Sequence, residues 1–368
     1  MAGFPFMRQA EAFRSSLPFI LLLAVFILPC PMSAAAKPRP AIAFVHLLLP
    51  PGGEPHASPA GWIASLDRAR DTLESLRIPT IVSSASPGNA EDLNELSEMD
   101  PEVLITTSPL LYAAACDVAK RSPNTVFFAC TDETVHDNMS GFQARTYEAH
   151  YLAGLIAGAL SEDGVIGYLA NDPYQSKASR LRNANAFTLG AQKSKAAIRV
   201  LYAPGNDPDE ELKTLIAAGA DIVDLERALP SLVERLREHS VRYVGTAGRT
   251  VDPLCLAAPE WEWSNAFGDL LTQVRFGIWR PRNVSYGIKE GVVGLSPFGP
   301  AVPETVRVRV REAKEAIRNG ASPFEGPVRD VSGSLRIAEG SVPDDATLRG
   351  MDWRVQGLEP LPLTPDGL

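Results

Sequence analysis

The chain is 368 residues long, with a formal charge of −9, 45% hydrophobic residues and 21% charged ones. That length exceeds what one hydrophobic core usually serves, so two domains are expected. The acidic balance argues against nucleic acid or an anionic membrane as the main partner.

At the N-terminus, Arg8 and Arg14 precede an unbroken apolar run from Phe19 to Leu28, and Ser33-Ala34-Ala35-Ala36 follow. Basic, apolar, small is the order of a secretory signal peptide. The ten apolar residues fall short of the roughly 20 that span a bilayer. Cleavage is expected after Ala36, leaving 332 of the 368 residues as a soluble periplasmic protein. Two arginines and one glutamate leave with residues 1–36, so the charge becomes −10. A lipid anchor on Cys30 is the alternative, although Pro29 directly before it suits a lipobox poorly. Cys116, Cys130 and Cys255 remain, an odd set without metal-knuckle spacing. They read as buried small side chains, with a Cys116–Cys130 bridge as the other possibility. The histidines are scattered, and no metal or cofactor is expected.

From Ala41 onward strand and helix patterns alternate. Ala41–Leu48 is a short apolar run of the kind buried in a parallel sheet. In Ala60–Arg77 the apolar residues Trp62, Leu66, Ala69, Leu73 and Leu76 recur at 4-3-4-3 spacing and make one helical face. Strand Ile78–Ser83, a helix around Ala90–Met99, strand Val103–Thr107, a helix near Leu110–Lys120 and strand Thr125–Cys130 complete a first set. A second set begins after Gly141. Helix Tyr147–Leu160 carries Ala153-Gly154 and Ala157-Gly158 four residues apart, which lets a neighbouring helix approach closely. Strands at Val165–Ala170, Ile198–Tyr202, Ile222–Leu225 and Val241–Thr246 then alternate with helices at Ala178–Ala191, Asp209–Ala218 and Pro230–His239. Such alternation implies parallel sheets with helices on both faces, and a ligand site beyond the carboxyl ends of the strands, in the cleft between two lobes. After Trp261 come a helix to Trp279, a charged helix Pro303–Asn319, a hairpin around Ser332-Gly333 and a frayed tail from Pro360.

Phosphate-binding loops, a nucleophile elbow and paired-cysteine zinc sites are all missing from the sequence. A binding protein is therefore expected rather than an enzyme.

Several segments carry a resemblance: Tyr147-Glu148-x-x-Tyr151-Leu152-Ala153-Gly154, Asn185-Ala186-Phe187-Thr188-Leu189-Gly190-Ala191, Gly219-Ala220-Asp221-Ile222 and Tyr286-Gly287-Ile288-Lys289-Glu290-Gly291. Pro297-Phe298-Gly299-Pro300, Pro323-Phe324-Glu325-Gly326-Pro327 and Met351-Asp352-Trp353 extend it nearly to the end. Together they resemble the basic membrane lipoprotein (BMP) family of substrate-binding proteins. The resemblance implies an α/β type I periplasmic-binding-protein fold, two doubly wound lobes joined by crossovers. The lobes would be 41–145 with 250–285 and 146–249 with 286–320, followed by an extension, 321–368. It further implies a monomer that delivers a small molecule to an ABC permease, and a purine nucleoside held between aromatic rings.

Carried onto this chain, the stacking ring falls on Trp62, whose other reading is core packing. The base-reading acid falls on Thr131 or Asp132. Arg182 matches an arginine of some members, with surface placement as the alternative, and Lys289 matches the ribose-binding lysine. Where relatives have two acids, this chain has Ala247 and Arg249. An arginine there suits an anionic ligand, unless it points to solvent. The expected function is an importer's binding protein for a purine-like solute. The alternatives are a sensing module for a membrane receptor and a binder of a small anion.

Overall fold

The computed structural model describes residues 39–362, apart from 49–60, 87, 132, 134–136, 173–174 and 246–251. The signal peptide, its cleavage point and Cys30 lie outside the described residues.

The first half builds β1 (Ile42–Leu47), α1 (Trp62–Ser75), β2 (Thr80–Ala85), α2 (Glu91–Ser97), β3 (Val103–Thr106), α3 (Tyr112–Ala119), β4 (Val126–Cys130) and β5 (Met139–Ala144). Phe44 and Ile105 face one apolar layer and Ala43, Val45 and Leu104 the other, as buried strands in a parallel sheet must. Among the described residues, no helix separates β4 from β5.

The second half gives α4 (Tyr147–Leu160), β6 (Val165–Leu169), α5 (Lys177–Ser194), β7 (Arg199–Ala203), α6 (Pro208–Ala217), β8 (Ile222–Leu225), α7 (Pro230–Glu238), β9 (Arg242–Gly245) and β10 (Cys255–Ala257). The chain then runs through β11 (Pro259–Trp261), α8 (Ser264–Arg275), β12 (Asn283–Tyr286), β13 (Val293–Leu295), α9 (Glu304–Arg318), β14 (Val328–Arg329), β15 (Leu335–Ile337), α10 (Asp345–Arg349) and β16 (Leu358–Pro360).

Two six-stranded sheets result, ordered β12-β5-β4-β3-β1-β2 and β10-β9-β8-β6-β7-β16, and every pairing within them is parallel. The passage from the second sheet to α8 begins after Ala257 rather than at residue 250, because Cys255–Ala257 pairs with β9. Near the C-terminus, Pro360 does not begin a loose tail. Leu358–Pro360 lies beside β7 as an edge strand, where a proline's missing N–H costs nothing.

The helices α4 and α5 pack closely through glycine. A Cβ on Gly154 would strike the Phe187 carbonyl, one on Gly158 the Ala191 carbonyl, and one on Gly190 the Tyr151 carbonyl. The small-residue spacing read from α4 has this cause, and Gly190 is its counterpart on α5. Among the described residues, Cys116, Cys130 and Cys255 are not joined by a disulfide.

Candidate functional site

In an open parallel sheet, ligands bind beyond the carboxyl ends of the strands, where the strand order reverses. The first sheet reverses between β1 and β3. There His46 and Thr107 meet, His46 Nδ1 lying 3.2 Å from Thr107 Oγ1, while Thr107 Oγ1 donates to the Val45 carbonyl. Burial lowers the His46 pKa and outweighs Asp67, 3.4 Å from Nε2, so the ring is neutral at pH 7. Trp62 opens α1 at this point. Its Nε1 donates to the Thr107 carbonyl at 2.7 Å, which pins a large half-buried ring at the reversal. The ring also stacks against Phe142 and meets Trp261 and Trp263 edge-on, with centroids 5.2–6.3 Å away. Both readings of Trp62, core packing and cleft position, are thus compatible with its surroundings. Thr131, just beyond β4, is buried, and its Oγ1 accepts from Glu133 N.

The second sheet reverses between β6 and β8. Asn171 and Arg227 clasp the two strand ends: Asn171 Nδ2 donates to the Arg227 carbonyl at 2.8 Å, and Arg227 N to Asn171 Oδ1 at 2.9 Å. Glu226 leaves β8 here. Its carboxyl accepts from the Tyr168 hydroxyl at 2.9 Å and from Asp172 N at 3.4 Å. Behind it, His150 Nδ1 lies 3.1 Å from Asp224 Oδ2. Burial, then the nearby Asp172 and Asp224, push Glu226 up to about 8. For His150 burial lowers the pKa, but Asp224 and then Glu226 reverse this and leave it raised. Sequence reasoning missed this group. The available signal was period-two alternation: an acid inside the apolar strand Ile222–Leu225 puts Ile222, Asp224 and Glu226 on one face.

Three connections join the sheets: Ala144 to Tyr147, Ala257 to Ser264, and Tyr286 to Val293. Arg145 donates to the Ser285 carbonyl at 2.7 Å, to Glu148 at 2.7 Å and to Glu290 at 2.5 Å. Glu148 in turn accepts from Ile288 N at 2.6 Å, and Trp261 Nε1 donates to Thr146 Oγ1 at 3.2 Å. The connections are therefore tied to one another. Gly287 has no room for a side chain, since a Cβ would run into the Glu148 carboxylate.

Of the other residues singled out from the sequence, Lys289 is exposed on the turn after β12. Arg182 is buried beneath the C-terminal segment. Its Nη1 donates to the Leu348 carbonyl at 3.1 Å, and its guanidinium lies 5.7 Å from the Tyr147 ring centre. It lines a small recess with Arg145, Tyr147, Ser285 and Asp345, beside the connections rather than at either strand-order reversal. Asp132 and Arg249 lie outside the described residues.

Two sheets with paired reversals and a triple connection form a binding architecture. The comparisons decide which. A model of the ABC transporter substrate-binding protein PnrA-like (Bmp) family matches residues 64–217. A purine-binding protein of Brucella abortus is 28% identical over 344 residues, covering 89% of this chain and 95% of that one. The chain is similar to this family of ABC-transporter substrate-binding proteins. A putative ABC transporter glucose-binding protein of Haloferax volcanii is also 28% identical, over 77% of this chain and 78% of its own length. Solved solute-binding proteins share the fold. One from Conexibacter woesei superposes with a TM-score of 0.61 at 17% identity, covering 76% of this chain and 97% of that one. Another, from Aeropyrum pernix, gives 0.58 at 17%, over 84% and 95%. The fold is the type I periplasmic-binding-protein fold, with the cleft between its lobes. That family is one of binding proteins rather than enzymes, and its proteins work with a small-molecule ligand and a membrane permease.

Proposed function

We propose that this binding protein captures a small, flat, purine-like solute in the cleft, outside the cytoplasmic membrane, and presents it to the permease. The carrying observation is Trp62, an indole pinned by its Nε1 at the strand-order reversal of the first sheet. The purine-binding relative supports this choice of ligand. Thr131 and Asp132 would read the base edge from the first lobe, and Lys289 would approach from the third connection. From the second lobe Glu226 would face the ligand. A carboxyl with a pKa of about 8 is mostly protonated at pH 7, so it can donate to a ring nitrogen or carbonyl. The lobes, 41–145 with 250–285 and 146–249 with 286–320, would close on the ligand, with the passage at 250 moved to follow Ala257. Export by the N-terminal segment and a monomeric state complete the reading.

Titration calorimetry with adenine, guanine, hypoxanthine, adenosine and glucose tests it. A purine base or nucleoside is expected to bind, and Trp62→Leu to weaken it at least about tenfold, since stacking a base on an aromatic ring is worth about 1–3 kcal/mol. Trp62→Phe should retain most of the affinity. Glucose binding with no purine binding would show that the ligand has been misassigned.

A second reading, a small anion, drew on Arg249 and Lys289. Asp172 at the opposite reversal weighs against it, because an anion would have to approach that carboxylate.

A further inference from the structure

We infer that the pole of the first lobe opposite the cleft is a membrane-contact surface that rests on anionic phospholipid. The helices α1 and α8 pack side by side, and both end at the amino edge of the first sheet. The edge is identified by Arg275, at the end of α8, which is paired at 2.7 Å with Glu102 just before β3. Phe276, Leu76 and Ile278, at and just past these two helix ends, are 76%, 67% and 64% exposed. They are the three most exposed large apolar side chains among the described residues. Large aromatic and branched side chains left in water on one face mark an interaction site more often than scattered single residues do.

Two further observations select the occupant. The first is charge. Arg77 and Arg280 flank the apolar side chains, Arg282 follows, and none of the three makes an ion pair among the described residues. Against them stand Glu74 and two acids already paired, Glu102 with Arg275 and Asp100 with Arg39. In a chain of formal charge −9 this is a local excess of the opposite sign. It suits an anionic bilayer and opposes a symmetric contact between two copies, which would set arginines against arginines.

The second observation is where the chain enters. Ala41 N and Ile42 N both donate to the Pro79 carbonyl, at 2.8 and 3.3 Å, so the start of β1 lies two residues in sequence from Arg77. The described chain therefore begins beside this patch. In the lipidated alternative, an anchor on Cys30, nine residues before Arg39, would hold this pole near the bilayer. The strand carboxyl ends, with Trp62 and Glu226, then face away from the bilayer surface.

Hydrogen exchange on the full chain, with vesicles of phosphatidylcholine alone or mixed with phosphatidylglycerol, tests the proposal locally even if the leader binds lipid by itself. Slowed exchange in 276–282 is expected only with phosphatidylglycerol, and it should fade at high salt. Phe276→Ser with Ile278→Ser, at exposed positions, should leave the unfolding temperature unchanged and weaken this protection about tenfold. Three results would each overturn the inference. One is unchanged exchange with either vesicle, another is equal slowing on the neutral one. The third is slowing without vesicles that grows with protein concentration, which would assign the patch to a second copy.

Discussion

Glu226 and Glu148 are both carboxyls that the fold withdraws from water, and burial raises the pKa of both, but their partners differ. Glu226 stands at about 8 against 4.5 unfolded, so the folded state binds a proton more tightly than the unfolded chain. Stability from this group is full below pH 4.5 and is lost as pH rises towards 8. His150, also raised, acts in the same direction. The unfolding temperature should therefore fall between pH 6 and 9, and Glu226→Gln, which imitates the protonated form, should flatten that slope. An equally steep profile in the variant would assign the pH response to another group. Glu148, by contrast, is held against Arg145 and the Ile288 amide. Glu148→Ala would leave a largely buried guanidinium short of one partner and should cost about 3 kcal/mol in denaturant unfolding. Glu148→Gln can still accept from Ile288 N and should cost less.

Among the elements, α4 and α5 show how much of the packing was legible. Small residues four apart in α4 foretold a close neighbour, and the neighbour is α5. Gly154→Ala should destabilise by about 2 kcal/mol, since its methyl would meet backbone rather than a yielding side chain. Gly268→Ala, in α8 with nothing within 4 Å of its missing Cβ, should stabilise by about 0.5–1 kcal/mol. Opposite signs for two helical glycines would be read directly from thermal unfolding. The elements that escaped sequence reading are short strands with weak patterns. β5 begins Met139-Ser140-Gly141 and directly follows another strand, and β10 and β11 have three residues each. Three residues are too few for a period to declare itself.

At the scale of the molecule, the tied connections allow the lobes to hinge without parting. Ligand should reduce the radius of gyration seen by X-ray scattering. It should also raise the unfolding temperature, by the equivalent of about 2.7 kcal/mol at a hundredfold excess over its dissociation constant. A stabilised protein of unchanged size would mean that the cleft is already closed without ligand.

The sequence alone determined the α/β class and the pair of doubly wound lobes, and it carried the family resemblance. Burial on both faces of a parallel sheet forces apolar runs, and helices between them force a 3.6-residue period, both of which can be read locally. Only the tertiary structure decided that Arg182 lies under the C-terminal segment, that Glu148 ties α4 to a connection 140 residues away, and that Asp224 and Glu226 meet His150 and Tyr168. The chain start and the ends of α1 and α8 come to one pole for the same reason. These are contacts between residues far apart in sequence, set by strand order, and strand order leaves no periodic trace in any one segment.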